Sequence, residues 1–249
     1  MRTTITLTTD FGTADGYVGE MKGVLVSRAP DAQLVDITHE IPPQDVERAR
    51  LTVARTWRRF PAGTVPLVVV DPGVGSARAA LAVASDGRFL VGPDNGVLSP
   101  ALLAPGARAV ELPTPRGASA TFHGRDVFAP AAAALACGVS IETLGIECSS
   151  PIIRRTPEAV RRADGAIDGE IIILDRFGNA ITNVLGLRGG VVEIGELRLP
   201  LRRTYAEVAP GEPVCVVGSS GFIEIAVRNG SAAERLGLVR GAPIIVRPD

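Results

Sequence analysis

The run 67-LVVV-70 constrains this chain more than any other stretch. It has no polar face, so it reads as a strand buried on both sides, in the middle of a sheet covered above and below. The run stops at Asp71-Pro72-Gly73, with Gly75 in the turn and Arg78 seven residues past the aspartate. Why a buried strand should end in a carboxylate is the question the rest of the sequence has to answer.

The flanking sequence supplies the helices that such a sheet needs. Residues 4-TITLTTD-10 form a short β-rich run ending in Asp10. Tyr17, Val18, Met21, Val24 and Leu25 follow at helical spacing, and 33-QLVDITH-39 reads as a second strand with a polar end. Val46, Ala49, Val53 and Trp57 mark one face of a second helix, which starts after Pro42-Pro43. Next, 88-RFLVGPDNG-96 reads as a strand and turn, and Ala129–Cys137 as an alanine-rich helix ending at Gly138. Strands alternating with helices predict a parallel-sheet α/β domain over 1–150, in which ligands bind beyond the carboxyl ends of the strands. Asp10, the Asp36/His39 pair and Asp71 all stand at such ends.

The pattern changes after about residue 150. A Pro- and Arg-rich connector, 151–165, precedes short β-like runs at 170-EIIILD-175, 191-VVEIGELRLPL-201, 213-PVCVVG-218, 222-FIEIAV-227 and 243-PIIVRP-248. The only helical hint there is 231-SAAERLG-237. Residues 166–249 therefore predict a smaller, mostly antiparallel, barrel-like β domain.

Composition narrows the function classes. With 46% hydrophobic and 21% charged residues, the 249-residue chain is globular rather than disordered. A net charge of -1 gives no electrostatic reason to expect nucleic acid or an anionic membrane surface as partner. The 3 cysteines are odd in number and lack CxxC spacing, which suggests reduced packing residues in a cytoplasmic protein. No signal segment or membrane-length apolar run is evident.

Several clusters carry candidate chemistry, each with a structural alternative. Asp10 suits a vicinal diol, and equally a turn cap. Asp71 and Arg78 suit a reactive centre, and equally a turn with a surface charge. In 121-TFHGRDVFAP-130, His123 is one of 2 histidines, either a proton acceptor or water-orienting group or a loop histidine held by Asp126. His39 carries the same ambiguity, with a structural role favoured. In the second half, 175-DRFGNAITN-183 concentrates hydrogen-bonding side chains around a glycine turn. Ser219 and Ser220 beside Gly221 suit a carboxylate, and Tyr205 suits a base or plain packing. The chain has no P-loop, GxGxxG, HExxH or GxSxG motif.

Taken in order, TTDFGTADGYVGEMKG, VDITHEI, VVVDPGVGSAR, GPDNGVL, FHGRDVFAPAA, DRFGNAITN and SSGFIEIAVRNGSAA resemble the S-adenosylmethionine hydrolase family, also called SAM hydroxide adenosyltransferase, a relative of the SAM-dependent fluorinase and chlorinase. The resemblance implies hydrolysis of S-adenosyl-L-methionine to adenosine and L-methionine by displacement at the ribose C5′, with no cofactor and no metal. It also implies a homotrimer with each site at a subunit interface. An Asp, an Arg and a His surround the attacking water in that family, and the matching positions are Asp71, Arg78 and His123. By the same matching, Asp10 would hold the ribose hydroxyls, Tyr205 would stack on the adenine, and Asn179 with backbone near Asn229 would read its edge. Asp175 would meet the methionine ammonium, and Ser219 with Ser220 its carboxylate. The halogenases place a Tyr where Asp71 stands and a Thr where Val74 stands, which argues against halide as nucleophile. The fluorinase has an Arg where Ser220 stands, a departure at the carboxylate contact.

Two other readings stay open on the residues alone. One is a metal-dependent phosphohydrolase with Asp10, Asp71, Asp94 and His123 as ligands. The other is a SAM- or adenosine-binding protein without turnover.

Overall fold

The apolar run lies where its composition requires. In the computed structural model, which describes residues 2–187 and 189–249, the chain divides into the units Met1–Arg155 and Thr156–Asp249. The first carries β1 (Thr4–Thr9), α1 (Tyr17–Arg28), β2 (Gln33–Thr38), α2 (Val46–Thr56), β3 (Val65–Val69), β4 (Ala80–Ser85), β5 (Arg88–Pro93), α3 (Ser99–Leu102), β6 (Arg108–Leu112), α4 (Ala129–Ala136) and β7 (Ile146–Glu147). Its sheet runs β2-β1-β3-β5-β4-β6-β7, and every residue of β3 is buried.

Two cores cover the faces of this sheet. On one, Met21 and Leu25 of α1 and Ala129, Ala132 and Ala133 of α4 pack against Ile5, Leu7, Leu67 and Val69. On the other, Val46, Ala49 and Val53 of α2 pack with Trp57 against Val68, Val70, Leu81 and Val83. Alternate residues of β3 thus face opposite cores, which is why the run needs no polar face. The Asp45 side chain caps α2 by accepting from the Arg48 backbone N–H at 2.9 Å.

The sheet is parallel across β2, β1, β3 and β5, as the alternation predicts. Its other half is antiparallel, because β4 and β5 form a hairpin and β6 and β7 add to β4 in the same sense. The hairpin turn is Asp86-Gly87, with φ of 48° and 68°; a two-residue Asp-Gly turn matches the right-handed twist of its strands. This local signal stands in the sequence, while β4 and β6 themselves have no distinctive pattern. The chain enters α4 through one π-helical turn, Gly124–Phe128, which apolar spacing does not indicate.

The second unit carries β8 (Val160–Arg161), β9 (Ile167–Leu174), β10 (Ala180–Leu185), β11 (Val191–Ile194), β12 (Leu197–Arg202), β13 (Pro213–Val217), β14 (Phe222–Val227), α5 (Ala232–Leu236) and β15 (Pro243–Arg247). Pairing of β9 with β10 closes the order β10-β14-β13-β12-β11-β15-β9 into a barrel. Among the described residues its ladders are antiparallel except β12 with β13. Ile171, Val192, Cys215, Ile223, Ile225 and Val246 fill the interior, each fully buried. The continuous run 191–201 resolves into β11 and β12, joined where Gly195 takes φ 57°.

Candidate active site

Four neighbouring parallel strands deliver polar groups to one edge of the first sheet. Asp10 follows β1, His39 follows β2, Asp71 follows β3 and Asp94 follows β5. The Asn95 amide holds the end of β3 by donating to the Val70 carbonyl at 2.9 Å, one residue before Asp71.

Asp71 and Arg78 form a two-pronged ion pair. Nε of Arg78 donates to Asp71 Oδ1 at 3.0 Å, and its Nη2 donates to Oδ2. Only 8% of the Arg78 side chain and 5% of the Asp71 side chain reach solvent. Burial pushes the Asp71 carboxyl above the usual carboxylate range, against the pull of the guanidinium. Arg78 also donates through Nη1 to the Ala79 carbonyl at 2.8 Å.

His123 joins this pair. Its Nδ1 lies 3.3 Å from Arg78 Nη2. A guanidinium only donates, so Nδ1 is the acceptor and a neutral ring carries its proton on Nε2. Phe128 supports both partners, with the Arg78 guanidinium 5.4 Å from its ring centroid and the His123 ring edge-on at 6.5 Å. The phenylalanine is fully buried; in the sequence it reads only as part of a helix face. The alternative of a loop histidine held by Asp126 is not what forms. Asp126 instead accepts from the Ser119 backbone N–H at 2.8 Å and from Arg125 Nε at 2.7 Å.

The other strand ends are tied into the scaffold, Asp10 only in part. His39 is 5% exposed and lies between Thr9 Oγ1, at 2.8 Å from Nδ1, and Asp36, at 3.1 Å from Nε2. Asp36 is in turn paired with Lys22 at 2.6 Å. The His39 carbonyl accepts from the Gly12 N–H at 2.8 Å, which fixes the loop that carries Asp10. One Asp10 oxygen accepts from the Gln44 backbone N–H at 2.8 Å, and the half-exposed carboxylate keeps capacity for a ligand. Asp94 is buried and accepts from the Ile152 N–H at 2.8 Å.

Gly75 determines how closely the Asp71 turn approaches the segment leading to His123. It has φ 74°, and a Cβ there would stand 2.3 Å from the Ala120 carbonyl oxygen. Gly75→Ala is therefore expected to cost about 1–3 kcal/mol through strain and displacement. It should also lower turnover by shifting the His123 segment; urea unfolding and a turnover assay check both.

The second unit gathers the remaining residues around β14. Asp175 Oδ1 accepts from the backbone N–H groups of Phe177 and Asn179 at 2.8 and 2.9 Å, and the Asn179 amide lies 3.2 Å from Oδ2. The carboxylate thus shapes its own turn. Gly178 brings that turn against the start of α5: its carbonyl accepts from the Ala233 N–H at 2.9 Å, and a Cβ on it would meet Ser231 Oγ at 2.1 Å. Asn229, with φ 56°, lies in the turn just before Ser231. Ser219 and Ser220 occupy the β13–β14 turn, closed by the Gly221 N–H on the Gly218 carbonyl at 2.9 Å. Tyr205 Oη donates to Glu224 Oε1 at 2.5 Å. Glu224 is not among the residues expected at the site, although an acid inside the apolar run 222-FIEIAV-227 is itself a signal.

Among the described residues no three His, Cys, Asp or Glu side chains converge to hold a metal ion. The set Asp10, Asp71, Asp94 and His123 therefore forms no ligand cluster: Asp71 is engaged by Arg78, and Asp94 holds the 152 amide. No helix among the described residues is long and apolar enough to cross a membrane.

Comparison with known proteins follows the same division of the chain. Residues 5–145 match the SAM hydroxide adenosyltransferase N-terminal domain, and residues 169–245 match the C-terminal domain of that family. A protein of Thermus thermophilus named (R)-S-adenosyl-L-methionine hydrolase is 48% identical over 94% of this chain and 96% of its own length. A fluorinase of Actinopolyspora mzabensis is more distant, at 27% identity over 98% and 97%. The crystal structure of an uncharacterized conserved protein from Thermotoga maritima superposes with a TM-score of 0.89 at 34% identity, covering 97% of this chain and 99% of that one.

Proposed function

The chain belongs to the SAM hydroxide adenosyltransferase family, and we propose that it hydrolyses S-adenosyl-L-methionine to adenosine and L-methionine. The relatives are named for the (R) sulfonium epimer, and that epimer is the expected substrate here. The observation that carries the reading is the buried Asp71–Arg78–His123 constellation at the carboxyl edge of the parallel strands.

Those residue types fit the reaction. As water attacks C5′, the C5′–O bond forms and the C5′–S bond breaks, and methionine leaves as a neutral thioether. The leaving group needs no proton, and the proposed displacement calls for no cofactor. The difficulty lies with water, a weak nucleophile at neutral pH. His123, with Nδ1 on Arg78, presents Nε2–H to the water oxygen and orients it. Asp71 is then the proton acceptor: its oxygens keep lone pairs beyond those that Arg78 occupies, and burial makes it more basic than an exposed carboxylate. Arg78 stabilises hydroxide character as it develops. The pairing also argues against halide as nucleophile, since the Arg78 charge is already met by a carboxylate.

Asp10 supplies the acceptor for the ribose hydroxyls. Tyr205 stacks on the adenine, Asn179 and the backbone near Asn229 read its edge, Asp175 takes the ammonium, and Ser219 with Ser220 the carboxylate. In the homotrimer that the family implies, one subunit contributes the Asp71 cluster and a neighbour the Tyr205 cluster. Light scattering at working concentration should give three times the 25.9 kDa chain mass; a monomer with full activity would remove the shared-site arrangement.

The direct test separates the two SAM epimers and follows each by chromatography in halide-free buffer with a chelator. Adenosine and methionine should appear together, from the (R) epimer. Adenosine binding without turnover of either epimer would leave a non-catalytic binding protein as the better account.

A further inference from the structure

Tyr205 is held from below by two residues of one strand and its turn. Glu224 is 8% exposed, between Ile223 and Ile225 on β14, both at 0%. Those isoleucines face the barrel interior, so alternation turns Glu224 to the outer face. There it accepts the Tyr205 hydroxyl at 2.5 Å. Its other oxygen lies so near Gly218 that a Cβ on that residue would stand 2.5 Å from Oε2. Four residues along, Arg228 Nη1 donates to the carbonyls of Val208 at 2.6 Å and Ala206 at 3.3 Å. The Tyr205–Glu207 turn is also closed at its start, where Thr204 N–H and Arg203 N–H donate to Glu207 Oε1 at 3.2 and 3.0 Å. The residue as a whole remains 41% exposed.

A tyrosine whose backbone is clamped and whose hydroxyl is anchored, yet which stays partly open to solvent, is built to present an aromatic face in one orientation. We propose that Glu224 is a positioning residue for the nucleobase site: it fixes the Tyr205 ring in advance, so that adenine stacks without the cost of ordering the side chain. The burial of a carboxylate on the outer face of a barrel is otherwise unexplained, since a leucine there would pack without needing a partner. This inference rests on the adenine-stacking role given to Tyr205 above, and deepens it.

The test uses Glu224→Gln, Glu224→Ala, Tyr205→Phe and the Tyr205→Phe/Glu224→Ala double variant, with adenosine titrated calorimetrically and hydrolysis followed with SAM. Glu224→Ala and Tyr205→Phe should each weaken adenosine by about tenfold, the double variant no further, and Glu224→Gln much less, because its amide oxygen still accepts the hydroxyl. The loss should fall on KM rather than on kcat, and by the same factor for SAM as for adenosine. A larger loss for the cationic SAM would show Glu224 acting through its charge instead, and would overturn the proposal. Additive losses with wild-type adenosine binding intact would also overturn it while leaving the adenine site standing. Wild-type protein that binds no adenosine would overturn the adenine site itself. An absorbance titration in a Tyr17→Phe background reads the pair without any ligand. Burial and Glu224 hold the Tyr205 phenol above its ordinary range, near pH ~10 for a free phenol, and Glu224→Gln should bring its ionisation down. An unchanged titration would mean that the hydroxyl is not anchored there, and the positioning role would fall.

Discussion

Asp71→Ala is expected to abolish adenosine formation and, independently, to cost about 3–5 kcal/mol of folding stability, because it strands the Arg78 charge in a buried site. Both side chains are nearly excluded from solvent, so no water shell replaces the lost carboxylate. The two effects separate in the Asp71→Ala/Arg78→Ala double variant. It should recover much of the stability, since no unpaired charge is left, and none of the activity. Urea unfolding gives the first quantity and product chromatography the second. If Asp71→Ala retains turnover, the carboxylate is not the proton acceptor. If the double variant is as unstable as the single, the pair is not the source of the loss. As the proposed proton acceptor, Asp71 should also set the acid limb of the pH profile. Burial raises its carboxyl, and only the deprotonated form can take a proton. Activity should therefore fall, on acidification, at a pH above the ~4 of an exposed carboxylate. Wild-type kcat measured across the acid range checks this directly.

His123→Ala is expected to reduce kcat by about a hundredfold through lost positioning of the water, with a stability loss much smaller than that of Asp71→Ala. The imidazole accepts from Arg78 through Nδ1, so its removal leaves a guanidinium that is still paired with Asp71. His123→Gln offers a finer reading. A side-chain amide can still donate to water but cannot take a proton at neutral pH. Partial activity in His123→Gln would fit an orienting role; activity as low as in His123→Ala, with the fold intact, would favour His123 as the base. Steady-state kinetics of both variants, with circular dichroism for the fold, decide between these outcomes.

Part of the site could be read from the sequence because it depends on local pattern. Asp10, His39 and Asp71 follow apolar runs whose length and flanks identify them as strands. In an α/β sheet the carboxyl ends of such strands lie on one edge. The turn chemistry of 175-DRFGNAITN-183 also carries through, since Asp175 bonds to groups two and four residues away. Other parts were hidden for the opposite reason. The pattern around residue 123 leaves a bond to neighbouring Asp126 open as an alternative, whereas the imidazole meets Arg78, 45 residues distant in the chain. His123 stands just before a π-helical turn, and no apolar spacing encodes such a turn.

By itself, then, the sequence determined the alternation of strands and helices, the central place of 67-LVVV-70, the change to a β-rich second half and the family motifs. All of these reside in periodicities and short motifs that neighbours in the chain define. Only the tertiary structure decided that half of the first sheet is antiparallel, that Arg78 closes on both Asp71 and His123, and that Glu224 anchors Tyr205, 19 residues away. These are contacts through space between residues that share no local signal. Burial then gives them their weight, by withdrawing the water that would otherwise satisfy each charge separately.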